Sequence, residues 1–133
     1  MTTHTEGTFQ LTSWDENTYE ELEGKSKLTR ARMTQDFSGD LEAKGTWDSL
    51  MYYREDGTAT FVGFERFVGR IGSRSGSFVV ETIGTFDGNE ARTAWSVVAG
   101  SGTDDLQGLR GEGTAVAPHG PNGSFSLDYD FDG

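Results

Sequence analysis

A glutamate set among phenylalanines is the first residue in this sequence that could do chemistry. Glu65 stands in the run Thr60–Ile71, where one parity reads Phe61, Gly63, Glu65, Phe67, Gly69 and Ile71. The other parity reads Val62, Phe64, Arg66, Val68 and Arg70. Arginine avoids burial without a partner, so the second set faces water and the first faces a core. Glu65 is thereby placed inside, beside Phe61, Phe67 and Ile71. A carboxyl held there keeps its proton to higher pH than usual, which suits a general acid or base. The same position equally suits a carboxyl neutralised by a hydrogen bond or an arginine, with no ligand at all.

Other residues could join it. Glu81 lies in the run Phe78–Ile83. One strand register sets it opposite Glu65, where the two would share a proton or hold a cation. A slip of one residue turns Glu81 to the other face, and the sequence leaves both registers open. Trp47, Met51 and Tyr53 share a parity on another strand, and Trp95 lies on a further one. Such rings suit an apolar or ring-containing ligand, with the Tyr53 hydroxyl to orient it, and they equally suit plain core filling. Arg110 could meet a ligand anion, although pairing with an interior carboxylate is the simpler role. The expected catalytic residues are therefore Glu65 and Tyr53. The expected ligand contacts are Trp47, Met51, Phe61, Phe67, Glu81, Trp95 and Arg110.

Several other patterns carry little. Asp128-Tyr-Asp-Phe-Asp-Gly133 imitates the opening of a calcium loop but ends before a closing glutamate, so an acidic strand in water is the better reading. His4 and His119 stand apart, in a terminus and a Pro/Gly loop, and no metal site is expected. The glycine-rich run Gly100–Gly113 lacks the P-loop lysine, and Asp104-Asp105 would repel phosphate. Asn122-Gly-Ser124 matches a glycosylation sequon but reads as a turn.

The elements that must position these residues are strands. Period-two runs rich in Thr, Val, Phe, Tyr and Trp alternate with Gly, Asp, Asn and Ser, and helical periodicity is nearly absent. Strands are expected over 6–13, 28–37, 41–54, 58–71, 77–86, 91–98, 109–117 and 124–131. The acidic stretch 15–27 reads as a loop, 72–76 as a turn, and Asp56-Gly57 as a hairpin turn. One helical turn is expected within 100–108, capped by Thr103. Long strands with internal glycines at Gly45, Gly63, Gly69, Gly84 and Gly111 favour closure, because glycine relieves the bending a barrel requires. The expected fold is all-β: an antiparallel, eight-stranded up-and-down barrel of calycin-like form, about wide enough for one small ligand or for its own side chains.

Composition narrows the function. The chain has 133 residues, a formal charge of −11 and no cysteine. That length suits one domain over 1–133. Missing cysteine excludes disulfides, thiol nucleophiles and thiolate metal sites. The acidic balance argues against nucleic acid and against anionic membrane surfaces. No apolar run approaches the roughly 20 residues of a membrane helix, and the opening residues carry no targeting signal, so a cytoplasmic protein is expected.

The segment Gly100-Ser-Gly-Thr-Asp-Asp-Leu-Gln-Gly-Leu-Arg-Gly-Glu-Gly113 resembles one carried by allene oxide cyclases and plant dirigent proteins. A bacterial family of unknown function in the same allene oxide cyclase-like barrel class is closer. The likeness to it runs through Gly7-Thr-Phe9, Ser13-Trp14, Tyr53-Arg54, Asp56-Gly-Thr58, Phe61-Val-Gly63, Glu65-Arg66, Ser75-Gly-Ser-Phe78, Gly84-Thr-Phe86 and Leu127-Asp-Tyr129. The resemblance implies an antiparallel barrel and association into homodimers or homotrimers. It assigns no catalytic residue, and one barrel hosts unrelated functions. The expected function is binding of a small apolar molecule, with cofactor-independent isomerisation or cyclisation in a shaped cavity. The alternative is a ligand carrier without turnover, or a filled barrel that acts through its outer surface.

Overall fold

The computed structural model describes residues 2–118 and 121–132. Its strands are β1 (Thr3–Glu21), β2 (Lys27–Gly39), β3 (Leu41–Tyr53), β4 (Ala59–Ile71), β5 (Arg74–Phe86), β6 (Glu90–Val97), β7 (Leu109–Pro118) and β8 (Asn122–Phe131). Each pairs antiparallel with its neighbour in sequence, and β8 returns to β1, closing an eight-stranded barrel. Alternation of buried and exposed residues along β2 and β4 follows the sequence parity, so every inward position on these strands meets the interior. No helix among the described residues is long and apolar enough to cross a membrane.

Two turns show how the chain reverses. Asp56 accepts a hydrogen bond from the Thr58 N–H at 3.0 Å, and Gly57 takes the left-handed conformation at φ 88°. At the β4–β5 reversal, Gly72 has φ 59° and Ile71 pairs with Arg74, leaving a two-residue loop. The expected turn over 72–76 is therefore shorter, and residues 74–76 already belong to β5.

The other departure is at β1. The acidic stretch expected as a loop continues the strand to Glu21. Pairing overrides its loop-like composition, since Asp15 lies opposite Arg32 and Asn17 opposite Arg30 on β2. The register shifts between Leu11 and Ser13, and again between Thr18 and Glu20. Those irregularities bend the long strand. The expected helical turn is a 3₁₀ turn at Asp104–Leu106. Thr103 occupies the cap position without capping it, and its Oγ1 instead accepts from the Ser77 N–H at 3.0 Å.

The interior divides into two halves. One is filled by rings: Phe37 contacts Phe67, Trp95 and Phe125 edge-on at centroid distances of 4.8, 5.8 and 5.6 Å. Phe67 stacks on Phe78 at 4.9 Å, and Leu106 of the 3₁₀ turn joins the same cluster. The other half holds a smaller cluster of Ala31, Met33, Met51 and Phe61 and stays open. Glycines make room for the large side chains. A Cβ on Gly84 would collide with Phe61, and one on Gly123 would collide with Phe9.

Candidate functional site

The open half encloses a cavity of about 170 Å³. β2 contributes Met33 and Gln35 to its wall, and β3 contributes Trp47, Ser49, Met51 and Tyr53 at successive inward positions. Phe61 of β4 and Phe86 of β5 close the apolar side, while Trp14 and Pro121 stand toward the mouth. Trp47 is fixed on two sides. Its indole N–H donates to Thr82 Oγ1 at 3.0 Å, and its ring meets Phe61 edge-on at 5.5 Å.

Among these apolar walls one polar atom stands out. Ser49 is 1% exposed, and its Oγ has no hydrogen-bond partner in the protein. A buried hydroxyl without a partner is costly and calls for one. Gln35, also buried, is a further polar side chain in the wall.

A smaller void of about 30 Å³ adjoins the cavity and shares Phe9, Gln35, Trp47, Ala91 and Ala117 with it. Glu65 lines this void, together with Thr93 and Trp95. It is large enough for a water molecule. Glu65 is 1% exposed, and its Oε2 has no hydrogen-bond partner. Burial alone raises its pKa from an ordinary 4.5 to about 8, so at neutral pH it is a protonated carboxyl.

Tyr53 sits at the rim, half-buried, with the Lys27 ammonium 5.2 Å from its ring centroid. Burial first, and then the carboxylate of Glu16 nearby, hold its phenol above the ordinary range. Glu16 in turn accepts a 2.6 Å hydrogen bond from Thr29 Oγ1.

The expected site residues are thus dispersed. Trp47, Met51, Phe61 and Tyr53 come together around the cavity. Glu65 lies inside but borders the adjoining void. Tyr53 does not join it: Glu65 is paired with Trp47, from which Tyr53 stands six residues along β3, about 20 Å at strand rise. Phe67 and Trp95 belong to the filled half, although Trp95 also borders the Glu65 void.

Two expectations are corrected. Glu81 points outward, because the two-residue turn at Gly72 pairs Glu65 with Val80 and Glu81 with Phe64. Arg110 is also exposed and donates to Asp130 at 3.0 Å on the outer surface, away from any interior carboxylate. His4 bonds Glu6 and Asp128 on the surface. His119 lies outside the described residues. No group of three His, Asp or Glu among the described residues converges as a metal site.

Sequence reasoning passed over Ser49 and Gln35 as site residues. The signal was present, since Ser49 shares its parity with Trp47 and Met51, and Gln35 shares its own with Met33 and Phe37.

A family profile described as a protein of unknown function, DUF3224, matches residues 5–129. Among solved structures, the chain is similar to a crystal structure of a DUF3224-family protein of unknown function from Shewanella oneidensis MR-1. Sequence identity there is 28%, the TM-score is 0.85, and 100% of each chain is covered. No curated protein matches the chain.

Proposed function

This chain belongs to the DUF3224 family, and we propose that it is a small-molecule-binding barrel whose open half takes a compact apolar ligand with one hydrogen-bonding group. The observation that carries this reading is a largely apolar cavity, open at one mouth, holding an unpartnered buried hydroxyl, Ser49 Oγ. An apolar cavity of about 150 Å³ accommodates benzene. The 170 Å³ here therefore suits a ligand of roughly one ring. Its polar group would pair with Ser49, and its apolar body would lie against Met33, Met51 and Phe61.

Turnover is the finer reading, supported by the protonated Glu65 carboxyl beside the cavity. A neutral carboxyl can give a proton to one atom of a substrate and take one back from another, which is the balance an isomerisation or cyclisation needs. The likeness of Gly100–Gly113 to allene oxide cyclase and dirigent segments points the same way. Such chemistry requires no cofactor. Tyr53 would act at the mouth, orienting the entering ligand.

Native mass spectrometry of freshly purified protein, compared with the same sample denatured, tests binding. A retained small molecule supports the reading, and indole added as a probe should give a one-to-one adduct. The absence of both a retained molecule and an adduct at saturating indole would contradict it. Glu65→Gln then separates the two forms of the proposal. A carrier keeps its affinity unchanged, whereas an enzyme keeps binding and loses turnover of whatever molecule is retained.

A further inference from the structure

Eight large apolar side chains stand exposed among the described residues, and six of them gather on one side of the barrel: Leu50 and Tyr52 of β3, Val62, Phe64 and Val68 of β4, and Ile83 of β5. Leu50, Val62 and Ile83 are direct cross-strand neighbours on one rung. Phe64 and Ile83 each keep 54% of their surface. The outer face of an antiparallel barrel in water is ordinarily polar, and a continuous apolar patch marks a contact surface.

We infer that a second copy of this chain packs on that face, about a two-fold axis that runs along the strands between β3 and β4. Charge is what selects a second copy over another partner. Arg32 of β2, Asp48 of β3, Phe64 of β4 and Glu81 of β5 lie on the next rung, in that order. Rotation about the axis exchanges β3 with β4 and β2 with β5. Leu50 of one protomer then meets Val62 of its partner, and Arg32 meets Glu81 at both edges of the patch. A two-fold interface demands this self-complementarity.

Both charged groups are exposed and can reach the contact. Arg32 is 65% exposed and reaches Asp48 only at 3.8 Å. Glu81 is exposed and takes part in none of the ion pairs among the described residues. The patch lies on the side of the barrel, so the cavity mouth stays open in the dimer, and the inference does not depend on the ligand.

Sedimentation velocity of the full chain at physiological salt, across micromolar concentrations, tests this. A species of twice the chain mass is expected. Arg32→Glu and Glu81→Arg should each raise the dissociation constant at least tenfold, and the double variant should restore dimerisation. Val62→Asp should give a folded monomer, with folding checked by circular dichroism. If Val62→Asp does not fold, the charge pair still decides, because both of its side chains are exposed. A wild-type monomer at every concentration would overturn the inference. So would a dimer indifferent to both charge reversals, or a monomeric chain that instead binds a different protein through this face.

Discussion

Gly45 of β3 leaves its side-chain position to the carboxyl of Glu65 on β4. A Cβ built on Gly45 would collide with Glu65 Oε2 and would stand 2.9 Å from Phe37 Cε1. The one buried carboxyl among the described residues is thus seated by a missing side chain on the neighbouring strand. Gly45→Ala should overpack this layer and destabilise the fold by about 1–3 kcal/mol, measured by urea denaturation. An unchanged midpoint would mean that the carboxyl has room to move away.

Glu65 should also make stability depend on pH. Its folded pKa, about 8, lies above the ordinary 4.5 because it is buried. Between these values the folded state keeps a proton that the unfolded state has released. This group therefore costs nothing below the lower value, and stability falls as pH rises through the window, by at most about 1.4 kcal/mol per pH unit. Glu65→Gln preserves the shape and removes this slope, so the variant should gain on the wild type steadily toward alkaline pH. Parallel wild-type and variant profiles would show that Glu65 is already ionised in the fold.

Ser49 offers a trade between stability and binding. Its buried Oγ lacks a partner, so Ser49→Ala should stabilise the ligand-free protein by up to about 1 kcal/mol. The same change should weaken a ligand that carries a hydrogen-bonding group, while leaving benzene affinity within twofold. Calorimetry and thermal denaturation on one preparation check both parts. A destabilised Ser49→Ala protein would mean the hydroxyl is satisfied.

Trp47 should report occupancy by fluorescence. It walls the cavity, whereas Trp95 is packed among Phe37, Phe67 and Phe125. In a Trp14→Phe background, which removes the exposed tryptophan at the cavity mouth, titration with benzene should change the emission, and adding Trp47→Phe should remove most of that change. The variant should also lose about 1–3 kcal/mol, because it removes the donor to Thr82 and leaves space. A benzene response that survives the loss of both Trp14 and Trp47 would place binding elsewhere.

Parity along the strands made much of the barrel readable from sequence. It put Phe61, Glu65 and Phe67 inside and Val62, Phe64 and Arg66 outside, as the structure does. Parity tells which face a residue occupies but not how far along the barrel it lies. For that reason Phe67 and Trp95 looked equivalent to Met51 and Phe61, although the first pair fills one half and the second borders the cavity. Glu81 depended on a turn length that a single residue decides. The strand over Asp15–Glu21 was hidden because its support comes from pairing with β2, which the composition of the stretch itself does not show. Ser49 escaped notice because a serine between large side chains looks ordinary until its missing partner is seen.

Methyl NMR of the methionines tests the ligand cavity most directly. Met33 and Met51 both line it, and Met1 is the one other methionine in the chain. With ¹³C-methyl labels and benzene or indole as the probe, both cavity methyls should shift through ring currents and saturate together. Methyl signals of Met33 and Met51 that hold still up to the solubility limit of both probes would contradict a ligand-binding barrel.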